Sequence, residues 1–110
     1  MLIPRRAAPL AAVTLLLAGG CAAEAQTNDP SFRVTNNSAA KIEEIYVSSS
    51  GVNSWGPDRL GDRTLGSGGS YTIRLPAGQC TNDVRVVFGD GKASERRRVN
   101  TCNLTDLVFP

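Results

Sequence analysis

Three groups of residues have types and spacing that could do chemistry. The first is Trp55, the only Trp of the chain, set in NSWGPDRLGDRTLGSGGSYTI, Asn53 to Ile73, among Gly, Pro, Asp and Ser. A solvent-facing indole near Tyr46 or Tyr71 would stack on a sugar ring or a peptide. The plainer reading folds Trp55 back as a lid on the core with Leu60 and Leu65, adding apolar burial that a small domain needs. The second group is basic. Arg96-Arg97-Arg98 is the one basic run beyond the N-terminal head, and with Arg85 it could face a phosphate or carboxylate. The plainer reading splays these side chains into water beside Asp83 and Glu95. The third group is Cys80 and Cys102.

Catalytic chemistry is poorly served. The chain has no His, which removes the common general bases and most metal sites. No Ser sits in a G-x-S-x-G turn. Asp58 and Asp62 could form a carboxylate pair, but aspartates in Gly-rich loops are mostly turn formers. The same loop has a calcium-like composition without the EF-hand spacing. The expectation is no enzyme, no metal and no cofactor.

Cys80 and Cys102 are too far apart for a C-x-x-C redox pair, and two thiolates without His are a poor zinc set. They read as a disulfide whose loop of about 23 residues contributes roughly 3 kcal/mol.

The N-terminus indicates where such a bond would form. Arg5 and Arg6 make a short basic head, and Ala7 to Ala18 is a 12-residue uncharged apolar stretch. That is short for a membrane span and right for a signal-peptide core. Two cleavage readings compete. Ala23-Glu24-Ala25 fits signal peptidase, with residues 1–25 removed; LAGGC, Leu17 to Cys21, resembles a lipobox with Cys21 as the acylated first residue. Both place the chain in the periplasm or outside the cell. Residues 26–30 read as a tether and 31–110 as one domain.

Gln26 to Pro110 holds ten Lys and Arg and nine Asp and Glu, a net charge of +1. This near-neutral balance argues against nucleic acid as a partner. Membrane contact is expected only through an acylated Cys21. The arginine-bearing strand argues for a monomer.

Apolar residues alternate rather than recurring at helical spacing. The pattern predicts strands around Phe32–Val34, Ile45–Val47, Tyr71–Ile73–Leu75, Val84–Val86–Phe88, KASERR and Leu107–Phe109, separated by turn formers. About six short strands predict an all-β fold, a small antiparallel β-sandwich of Ig-like or Greek-key type. Asp90-Gly91 predicts a two-residue type I′ hairpin. That turn sets residue 80 opposite 101, or opposite 102 if a bulge intervenes. It also sets Arg85 against Arg96 or Arg97, a like-charge pairing that costs stability.

YVSSSG, WGPDRLG and CTNDVRVVFGDG followed by a second Cys together resemble small exported bacterial β domains, with a WGxDxLG loop and a CxxDxRxxFxDG hairpin. The resemblance covers Ser31 to Phe109. It implies an exported, disulfide-bearing β domain in which Trp55, Asp58 and Gly61 act as a unit, and it implies no activity. The functional expectation is a binding or structural module of the cell envelope, meeting an envelope protein or glycan. The alternative is an inhibitor that inserts the 51–69 loop into an exported hydrolase.

Overall fold

A computed structural model describes residues 27–110. The expectations about residues 1–25, Cys21 and Gln26 lie outside the described residues. No helix among the described residues is long and apolar enough to cross a membrane.

Six strands form two three-stranded sheets: β1 (Phe32–Asn36), β2 (Ile42–Ser49), β3 (Ser70–Ile73), β4 (Thr81–Phe88), β5 (Ala93–Asn100) and β6 (Asp106–Phe109). One sheet has the order β3-β1-β6 and the other β2-β4-β5. The facing sides of both supply one core that includes Phe32, Val34, Ile42, Ile45, Val84, Val86 and Phe109. The described residues therefore fold as an all-β sandwich with six strands and one disulfide. It departs from a purely antiparallel design in one pair: β6 runs parallel to β1, Val34 beside Leu107. After β5 the chain crosses to the other sheet through a 3-10 turn at Thr101–Asn103, so the last strand is laid down in the direction of the first.

Strand β2 carries a device the alternation hides. Its register to β4 shifts between Ile42 and Glu44. This bulge turns both Ile42 and Ile45 inward, each fully buried, although they are three residues apart.

The β4–β5 hairpin differs from the expected two-residue turn. Phe88 N–H donates to Lys92 O (2.8 Å) and Gly91 N–H to Phe88 O (2.9 Å), so the loop is Gly89-Asp90-Gly91. A type I′ turn needs positive φ at both central residues; here only Gly91, at φ 87°, has it. Asp90 accepts from Lys92 N–H at 3.0 Å, closing an Asx turn. The longer loop changes the pairing by one residue, and Arg85 faces Glu95, not Arg96 or Arg97. The expected like-charge clash is replaced by an ion pair of 2.6 Å.

A second irregularity compensates for the first. The register steps between Asn82 and Val84, so Arg97 and Arg98 together stand opposite Asp83, and Arg98 takes φ 56°. Past this bulge Thr101 N–H donates to Cys80 O at 2.7 Å. The 3-10 turn then brings Cys102 back to Cys80, with Cα atoms 5.0 Å apart and the disulfide formed.

Residues 27–30 are attached to the domain. Pro30 is fully buried, Asn28 O accepts from Gly78 N–H (3.0 Å), and the Thr27 hydroxyl donates to Cys102 O.

Candidate functional site

The side of the β2–β4–β5 sheet turned away from the core carries most of the residues singled out above. Strand alternation puts Glu44, Tyr46 and Ser48 on that side of β2, since Ile45 and Val47 face inward. Val84 and Val86 face the core from β4, which leaves Arg85 outward, paired with Tyr46 on one side and Glu95 on the other. Tyr46 donates its hydroxyl to Glu44 Oε1, and that carboxylate holds the phenol above its ordinary range.

Asp83 anchors this face. It is 5% exposed, and a carboxylate removed from water must be fully bonded. Its Oδ1 accepts from Arg98 N–H (2.9 Å) and from the Ser50 hydroxyl (2.7 Å). Its Oδ2 accepts from Arg97 Nη1 at 3.1 Å. These bonds, the Arg98 N–H first, hold the Asp83 carboxyl below the usual range. Glu95 takes Arg85 on one oxygen and Arg97 Nε and Nη2 on the other, and these partners depress it too.

The four arginines do not converge. Arg85 and Arg97 lie in the outer network, each balanced by the chain's own carboxylates. Arg96 points to the other side, over the Phe109 ring at 4.6 Å, and donates to Val108 O at 2.8 Å. It closes the gap between β5 and β6. Arg98 is spent on the bulge, its backbone N–H held by Asp83. The anions these residues meet are Asp83 and Glu95.

Trp55 lies on the outer face. The Arg97 guanidinium stacks over its ring, 4.9 Å from the centroid. The expected lid with Leu60 and Leu65 is not formed: those two leucines belong to the core cluster and Trp55 does not. Beside the indole is a cleft of about 200 Å³ lined by Ser48, Val52, Asn53, Ser54, Trp55 and Arg97. Val52 is 55% exposed at its rim. Tyr46 shares this face with Trp55. Tyr71 does not: it packs against the core edge, donates its hydroxyl to Arg59 O at 3.1 Å, and lies under Arg63.

The rest of the loop explains why the indole stands off the core. Asp58 Oδ1 accepts from Leu60 N–H (3.0 Å) and from Ile45 N–H (2.9 Å). Arg59 N–H donates to Ile45 O at 2.7 Å, and Ile42 and Leu65 exchange two bonds of 2.8 Å. Residues 58–65 are thereby stitched along the edge of β2, and Leu60 and Leu65 drop into the core. Gly61 takes φ 62°, a backbone angle that suits glycine. The 51–69 loop is not one free loop; residues 51–57 alone stand clear of this stitching.

Sequence reasoning missed the buried polar pins. Asn36, fully buried, donates to Ala40 O and Leu65 O (both 2.9 Å) and accepts from Ser38 N–H and its hydroxyl. Asn82 bonds Gln79 O and the Thr101 hydroxyl. Each sits at an inward position of its strand, and a polar residue at an inward position was the available signal. No group of three or more metal-binding side chains occurs among the described residues. Compared with protein-family models, curated proteins and solved structures, the chain matches none.

Proposed function

We propose that this chain is an exported binding module of the cell envelope, and that it meets its partner through the outer face of the β2–β4–β5 sheet around Trp55. One observation carries the reading: the largest side chain of the protein is held outside the core, by Arg97, at the mouth of a polar cleft. The indole is half-buried, with Arg97 over its ring, and it takes no part in the core cluster. Export is supported by the leader-like N-terminus and by the disulfide, a bond that persists in oxidising compartments. The leader is cleaved after Ala25, or the chain is anchored through acylated Cys21. The proposal includes no catalytic step and no nucleic acid.

An inhibitor that inserts the 51–69 loop into a hydrolase is less well supported, because residues 58–65 are bonded to β2. Only 51–57 remains to insert.

Co-sedimentation of the mature protein with separated envelope fractions tests the proposal. Wild type pellets with one fraction, and Trp55→Ala pellets at least tenfold less while still folded by far-ultraviolet circular dichroism. Equal pelleting of the two proteins would refute the contact role.

A further inference from the structure

We infer that the cleft beside Trp55 is a subsite for an uncharged saccharide ring, an inference that rests on the contact role proposed for this face. Its size comes first. At about 200 Å³ it is smaller than the roughly 300–1,000 Å³ pockets that enclose drug-sized ligands, so it admits a single ring. Its lining comes next. Ser48, Asn53 and Ser54 bring the hydroxyl and amide groups that, with Arg97, make most of the lining, and Trp55 and Val52 add a small apolar share. A sugar ring has the same division, with hydroxyls at its rim and C–H groups on its faces. Arg97 holds the indole from one face, so the aromatic surface is set in place before a ligand arrives, which lowers the ordering cost of binding.

Charge decides between sugars. Arg97 lies 3.1 Å from Asp83 and 2.8 Å from Glu95, and Arg85 lies 2.6 Å from Glu95. Two cations are thus balanced by two carboxylates within one network. An acidic ligand would meet two cations already balanced by two carboxylates, with no net positive field to draw it in and with Asp83 and Glu95 to repel it. An uncharged ring needs no such field. A protein partner would need a broader patch than this small cleft.

The test is an array of neutral and acidic glycans probed with the mature protein and three variants. Wild type is retained on neutral glycans. Trp55→Ala loses at least tenfold in retention. Asn53→Ala, which changes one exposed side chain at the rim, loses several-fold without a change in melting midpoint. Glu95→Gln removes a counter-charge of Arg97 and gains retention on acidic glycans, a shift that mere loosening of the fold would not produce. The inference is overturned if no neutral glycan retains the protein through Trp55, or if wild type prefers acidic ones. Should Trp55-dependent co-sedimentation survive while no neutral glycan binds, the contact face stands and the saccharide falls. Absence of Trp55 dependence in both assays removes both.

Discussion

Asp83 joins the outer face to the backbone beneath it. Its carboxylate receives the N–H of the bulged Arg98, the Ser50 hydroxyl and the Arg97 guanidinium, so charge and backbone geometry hold each other. Asp83 and Glu95 both titrate below their ordinary range in the folded protein. A carboxyl whose folded pKa lies below its unfolded one contributes stability above the unfolded value and loses it as pH falls through the folded value. Stability should therefore hold from neutral pH down to about 4 and then drop. Urea melts of wild type and Asp83→Asn across that interval check this: the variant is less stable at neutral pH and its acid loss is shallower. Asn36 makes a different prediction. Its four bonds join the 36–40 turn to Leu65, and at about 1 kcal/mol per bond Asn36→Ala should cost about 4 kcal/mol. A cost below about 1 kcal/mol would show that these bonds are readily replaced by water.

The β4–β5 hairpin shows how much an element reveals in sequence. Its strands, its turn residues and its cysteine pairing were all legible, because alternation and Asp-Gly are local signals. Its register was not. A three-residue loop shifts the pairing by one residue and the Arg97–Arg98 bulge shifts it back. The two cancel at the disulfide and differ only between them, where Arg85 meets Glu95. A bulge formed by a non-Gly residue at φ 56° leaves no mark in a propensity pattern, since arginine is a poor candidate for that angle. This predicts that Arg98→Gly is neutral or stabilises by up to about 1 kcal/mol, whereas Arg98→Val, branched at Cβ, destabilises by more than that. The opposite order would mean that the bulge is not formed. The Trp loop was legible only in part. Its composition announced a turn, but its docking depends on Asp58 reaching Ile45 N–H across 13 positions of sequence, a contact no local signal encodes. Asp58→Ala loses both of its bonds and should cost about 1–2 kcal/mol, read by thermal melting.

At the scale of the molecule, the parallel β1–β6 pair ties the two ends of the domain together, and the disulfide ties the crossover between sheets to β4. Two of the exposed strand edges are guarded. Residues 58–65 cover β2, and Arg96 occupies Val108 O at the β5–β6 gap, as expected of sheets that avoid pairing with copies of themselves. Replacing Cys80 and Cys102 by Ser should cost about 3 kcal/mol, a large share of the stability of so small a domain. Pro30 is buried outside the strands, so a chain beginning at residue 31 should melt below one beginning at residue 27.

The position of the indole decides whether the outer face carries a site. Urea unfolding followed by far-ultraviolet circular dichroism, comparing Trp55→Ala with Leu60→Ala, measures this directly. Leu60 is a core residue and its truncation should cost about 2–5 kcal/mol, while Trp55→Ala, half-buried on the outer face and stacked on Arg97, should cost about 1–2 kcal/mol. A loss of about 3–5 kcal/mol for Trp55→Ala, the range of buried aromatic truncations, would make the indole part of the core and remove the site built around it.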